Sequence, residues 1–219
     1  MSEARALYAG PGARRALVDG ARGQVELVLS GGAYVCLGPS DWILLAGPGA
    51  PFGPLSVAVD GLDRLELRPG ASAEVMRGQL LVGDRALSLE RMRDRPCAVA
   101  GPGSAAACAS LPAPPASLEA GIAALAAARI TDAVRLLAGL GEGLTPAGDD
   151  VLAGYAAARF ASGSLMAPAL STLASGRSSP LGLAYLRCAE RGELPDAPLR
   201  SWGASSGIAL AWGISAAVS

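Results

Sequence analysis

The sequence predicts an α+β protein, with an N-terminal antiparallel β barrel or sandwich over residues 1–110 and an Ala-rich helical half over 111–219. Two observations carry this reading. Residues 1–100 are broken by Gly or Pro about every ten residues, and short β-like runs lie between the breaks. From Ser117 onward the apolar period becomes helical. A 219-residue chain that is 51% apolar and 17% charged can bury a core without disulfide staples and is not a disordered one.

Each element has its own signal. Runs 25–29 and 34–37 flank Gly31-Gly32 as a hairpin. Runs 42–45 and 55–59 read as further strands, and 65–67 alternates before the Pro69-Gly70 turn. Runs 80–82 and 86–89 bracket Gly83-Asp84 as a second hairpin. The Gly-, Pro-, Ala- and Ser-rich stretch 101–116 reads as the connection between the halves. Ser117 is placed to cap a helix running to Arg129, and Thr131-Asp132 to cap a second, ended by Gly139. Helices are further expected over 146–162, over 167–175 with Pro168 in the first turn, over 180–191 with Gly192 as terminator, and over 207–218.

Composition excludes several kinds of chemistry. The chain has no His, no Lys and no Asn, and all 18 basic residues are Arg. A Ser-His-Asp triad, a Cys-His pair, a His-ligated metal and a Schiff-base lysine are therefore impossible within this chain. Acid–base work falls to Asp, Glu, Tyr or Cys, or to a partner subunit. The permanent cation is Arg, which suits carboxylate and phosphate. A net charge of −1 with no basic stripe argues against nucleic acid or an anionic membrane as partner. No apolar run of 18 residues is free of charges and turn residues, and the opening Met-Ser-Glu-Ala-Arg lacks a signal-peptide core. The expected location is the cytoplasm, with Cys36, Cys97, Cys108 and Cys188 as free thiols.

The strongest local feature is the segment 139–150, Gly-Leu-Gly-Glu-Gly-Leu-Thr-Pro-Ala-Gly-Asp-Asp. Gly141 and Gly143 let the backbone turn tightly and approach a ligand closely. Thr145-Pro146 reads as N-cap and first helical residue, so the new helix aims free N–H groups and partial positive charge at the loop. Asp149 and Asp150 follow, pointing about 100° apart, and are expected to do different jobs. This describes an anion cradle with an acid, a base or a Mg²⁺ ligand. A second segment has the same grammar: Arg177 and Ser178 in a loop, Ser179 as N-cap, Pro180 as first helical residue. A third, 203–207, brings Ser205 and Ser206 to the start of the last helix. Convergence of these three helix starts would line one pocket with positive potential.

The segment 139–154 resembles the signature of a bacterial family of unknown-function proteins that includes the third subunit of the oxamate carbamoyltransferase of allantoin catabolism. Segments 53–60, 67–70, 78–83, 177–181 and 203–207 extend the likeness along most of the chain. Ala204 stands where the resemblance leads one to expect a His. The resemblance implies carbamoyl transfer between oxalurate and phosphate, giving oxamate and carbamoyl phosphate. It also implies partners: further carbamoyltransferase subunits and a small anionic substrate. On this reading Asp149 and Asp150 are catalytic. Gly141, Gly143, Thr145, Gly148, Arg177, Ser178, Ser179, Ser205 and Ser206 bind substrate. Two alternatives fit the same residues. One is a Mg²⁺-dependent hydrolase or transferase on another small anion, with Asp149 and Asp150 as metal ligands. The other is a non-catalytic anion-binding scaffold or sensor.

Overall fold

The computed structural model describes residues 4–99, 111–164, 167, 169–196, 199, 202–203 and 205–218. The chain forms two compact units, Met1–Cys97 and Ala98–Ser219. Each has its own apolar core. Residues 101–110 of the expected connection, with Cys108 and the expected boundary at 110, lie outside the described residues.

The first unit opens with β1 (Ala4–Ala9) and a short helix α1 (Pro11–Ala16). It continues through β2 (Arg22–Leu29), β3 (Gly32–Cys36), β4 (Trp42–Ala46) and β5 (Ser56–Asp60). After a 3₁₀ turn at Leu62–Leu65 come β6 (Ser72–Met76), β7 (Gln79–Val82), β8 (Arg85–Ser88) and the two-residue β9 (Arg93–Asp94). The strand order β5-β4-β3-β2-β6-β7-β8-β1 closes on itself through β1–β5, so this is the barrel rather than the sandwich. Two of its eight pairings, β4–β5 and β1–β8, are parallel, so the barrel is mixed. β8 and β9 lie in tandem along one edge of β1. Val25, Val35, Ile43, Leu45, Val57 and Leu80 are among the side chains that fill the interior. Arg93 lies in β9, and Arg95 stacks 4.5 Å over the Phe52 ring.

Three strands of this unit, β1, β6 and the two-residue β9, and the helix α1 have no counterpart among the expected elements. β1 is built largely of Ala, and its buried positions Ala4, Ala6 and Ala9 are too small to stand out as an apolar stripe. The expected strand 65–67 is instead the end of the 3₁₀ turn. Gly61 (φ 75°) and Glu66 (φ 46°) are left-handed there, which no strand accommodates. Glu66 is held by ion pairs to Arg85 and Arg68.

The second unit contains α2 (Ala116–Ala126), α3 (Ile130–Leu137), α4 (Ala147–Ala161), α5 (Leu170–Leu173), α6 (Pro180–Ala189) and α7 (Ser206–Val218). A small pair of strands, β10 (Ala98–Val99) and β11 (Glu193–Leu194), is antiparallel. α2 begins after Pro115 rather than at a Ser117 cap, and α3 already includes Thr131. Pro168 lies outside the described residues, and the helix expected at 167–175 shrinks to the single turn α5. The N-terminus of α5 is bound by Glu190, whose carboxylate accepts the Ser171 N–H (2.8 Å) and hydroxyl (2.7 Å).

α4 is the central helix, buried without a break from Gly148 to Ala158. Beyond the two first-turn aspartates, from Val151 to Ala158, its residues are small or apolar on every side, as a helix enclosed by others must be. α7 crosses it backbone to backbone. A Cβ on Gly154 would strike the Leu210 carbonyl, and one on Gly213 would strike the Val151 carbonyl and come within 2.7 Å of the Tyr155 nitrogen. Trp212 packs against this core and donates its indole N–H to the Pro112 carbonyl at 2.9 Å. No helix among the described residues is long and apolar enough to cross a membrane.

Candidate functional site

The loop that leads into α4 is wound by three left-handed glycines, Gly139 (φ 75°), Gly141 (φ 115°) and Gly143 (φ 99°). Gly141 lies against the start of α4, where a Cβ would be 2.9 Å from the Ala147 nitrogen. Gly148 packs on the Leu137 carbonyl, and its N–H donates to the Leu140 carbonyl at 2.9 Å. The loop is thereby folded back onto the helix it introduces.

The helix starts one residue later than expected. Pro146 is extended (ψ 140°) and serves as the N-cap, and its carbonyl accepts the N–H groups of Asp149 (2.9 Å) and Asp150 (3.2 Å). The Thr145 hydroxyl is therefore not a cap. It lies 3.3 Å from the Ser206 hydroxyl at the start of α7. Ser179 does cap α6 as expected, accepting the Gly182 N–H at 2.9 Å, and its hydroxyl reaches the Leu144 carbonyl at 2.9 Å.

The two aspartates sit side by side and differ in their surroundings. Asp149 is 1% exposed. Its Oδ1 accepts the Gly139 N–H (2.8 Å) and the Ser178 hydroxyl (2.6 Å). Its Oδ2 has no hydrogen-bond partner and lies against Gly182, where any Cβ would collide with it. Asp149 thus ties the starts of α4 and α6 together. Asp150 is 6% exposed. Burial pushes its carboxyl up to about 7; the Ser206 and Thr145 hydroxyls bond it and pull the other way, while the Asp149 charge adds to the rise. Its Oδ2 is buried with no partner.

Three helix N-termini therefore meet here. Asp149 joins α4 to the first turn of α6, and Asp150 with Thr145 joins α4 to Ser206 of α7. Gly141, Gly143, Thr145, Gly148, Asp149, Asp150, Ser178, Ser179 and Ser206 belong to this cluster. Ser205 is exposed beside it, with its carbonyl accepting the Ala209 N–H. The Arg177 carbonyl packs on Gly139, while its exposed guanidinium donates to the Arg135 carbonyl (3.3 Å) at the last turn of α3. There it complements the negative end of α3. Ala204 lies outside the described residues.

Gly139 and Gly182 complete the site and were not among the expected site residues. The signal for Gly182 was its place three residues after a Ser-Pro cap, where a side chain would face the cap's hydroxyl. Gly139 read only as a helix terminator.

No group of three or more His, Cys, Asp or Glu among the described residues could hold a metal. One Asp149 oxygen already takes two donors and the other is closed off by Gly182. That leaves Asp150, which lies at the starts of α4 and α7, where the positive helix ends oppose a cation.

Residues 137–199 match the family described as oxamate carbamoyltransferase subunit AllH. The matched span holds the glycine loop, both aspartates, Ser178, Ser179 and Gly182. No curated protein and no solved structure matches the chain. Over the segment that builds most of the site, the chain is similar to the AllH subunits of oxamate carbamoyltransferase, the family that its glycine-rich signature resembles.

Proposed function

We propose that this chain is a component of a carbamoyltransferase acting between oxalurate and phosphate, with Asp150 as its acid–base group. One observation carries the reading: within the matched segment lies a carboxyl only 6% exposed, set against the Thr145 and Ser206 hydroxyls at the starts of α4 and α7, where burial pushes it up to about 7. A chain without His needs such a group for proton transfer.

The reaction moves one carbamoyl group and one proton. A phosphate oxygen attacks the terminal carbamoyl carbon of oxalurate. The bond from that carbon to the oxamate nitrogen breaks, and the nitrogen takes a proton from the Asp150 carboxyl. The proton of hydrogen phosphate then restores Asp150, so atoms and charge balance. Asp149, Ser178 and Ser179 act as positioning residues in this scheme, holding α6 and the 139–146 loop against α4. The anionic ends of the substrates are left to exposed backbone at Gly141 and Gly143, to Ser205, and to arginine from Arg177 or a partner subunit.

The test is formation of carbamoyl phosphate from oxalurate and phosphate, by the chain alone and with the proteins encoded beside it. Asp150→Asn should lower kcat by about 10²-fold or more, the usual scale of one acid–base group. Absence of carbamoyl phosphate with and without those partners overturns the reading.

A further inference from the structure

Above about pH 7, once Asp150 is ionised, its Oδ2 is a buried carboxylate oxygen without a donor, on a residue whose other contacts are the Ser206 and Thr145 hydroxyls. An unsatisfied buried acceptor is costly, so such an atom points to a missing donor. Three kinds of ligand could approach it. A cation would face the positive N-terminal ends of α4 and α7, which oppose it. An anionic group set against Oδ2 itself would meet the Asp150 and Asp149 charges, so the anionic end of a ligand belongs away from this oxygen, at the 141–143 loop. A neutral group rich in N–H donors meets neither penalty.

We infer that Asp150 Oδ2 accepts an N–H from a primary carboxamide or ureido group, so that the site selects its substrate by the amide end rather than the anionic end. This rests on the carbamoyltransferase reading for its choice of ligand. In that reaction it places the nitrogen that gains or loses the proton directly against the group that exchanges it. It also accounts for selection between oxamate and oxalate, which share their carboxylate and differ in NH₂ against O⁻. A site built to accept an N–H rejects an analogue lacking it far more strongly than an apolar pocket rejects a missing methyl group.

The experiment is calorimetric titration of the full-length chain with oxamate and with oxalate at pH 8. The wild type should prefer oxamate by at least about tenfold, as expected for an unpaired or repelling contact at a buried acceptor. Asp150→Asn replaces an acceptor by a side chain that can donate, so it should lose that preference or reverse it. A change in ratio, unlike a loss of binding, is not produced by damage to the fold. Should Asp150→Asn not fold, pyruvate on the wild type supplies the same reading: it keeps the carboxylate and carbonyl, puts a methyl group of similar size in place of NH₂, and should bind at least about tenfold more weakly than oxamate.

Equal affinity for oxamate and oxalate overturns the inference, as does a ratio unchanged in Asp150→Asn, or no oxamate binding. So does Mg²⁺ binding at Asp150 that oxamate displaces. These outcomes are separable from failure of the proposed reaction. An amide preference that depends on Asp150, in a protein that forms no carbamoyl phosphate, keeps the inference and removes the reaction. Carbamoyl phosphate formation without amide preference does the reverse.

Discussion

Asp149 and Asp150 show how one step along a helix changes what a carboxylate does. Both are buried, and both lie in the first turn of α4, where the helix dipole favours negative charge. Asp149 has two donors on one oxygen and works as a strut. Replacing it with Ala strands the Gly139 N–H and the Ser178 hydroxyl and should cost about 2–3 kcal/mol, read from the urea midpoint; an unchanged midpoint would remove the strut role. Asp150 responds to pH instead. The folded protein keeps its proton until about pH 7, while the unfolded chain releases it near 3.8. The folded state therefore binds more protons across that window, and stability falls as pH rises through it, levelling above about 7. The full contribution is on the order of 4 kcal/mol. Denaturation of wild type and Asp150→Asn at pH 5 and pH 8 checks this: the midpoint should drop with pH in the wild type and drop less in the variant. That adjacent acids point apart was legible from helix geometry. Their partners were not, because Ser178 and Ser206 come from other helices, and only packing brings those helices together.

At the scale of elements, small residues set the distances. Gly154 and Gly213 let α4 and α7 touch through their backbones. Propensity alone says that Ala in place of either should stabilise its helix by about 0.5–1 kcal/mol. The crossing says the opposite, since the new methyl has only backbone to meet and overpacking typically costs 1–3 kcal/mol. Packing should win, so Gly154→Ala and Gly213→Ala should each lower the thermal midpoint. A rise in either would show that the helices can separate freely. The same sequence ran helices and loops together with uneven success, and the reasons are local. The Ser179-Pro180 start of α6 was readable because the cap hydroxyl bonds its own helix. The Thr145-Pro146 start was misread by one residue because Thr145 turns to Ser206. The 65–67 run looked like a strand because alternation does not reveal that Glu66 is left-handed.

For the whole molecule, the barrel depends on a strand that composition hides. β1 closes the ring by pairing with β5 on one edge and with β8 and β9 on the other. Its alanines contribute little apolar area, so closure rests on backbone hydrogen bonds and on register, which few sequence signals report. The barrel core is drawn from residues 4–92 and the helical core from residues 118–217, with no buried residue shared. Each unit is also of the size at which a single core sustains a domain of roughly 100 residues. The chain cut between Cys97 and Ala98 should therefore give two fragments that fold separately. Circular dichroism of residues 1–97 should show β structure and one cooperative transition. Residues 98–219 should be helical and should keep the pH dependence assigned to Asp150, because every partner named for that carboxyl lies within them. Omitting residues 1–9 from the first fragment tests closure directly. With β1 gone, β5 and β8 become free edges, so the shortened barrel should lose its cooperative transition or associate. A shortened fragment that melts like the full one would mean that the ring does not need the strand that closes it.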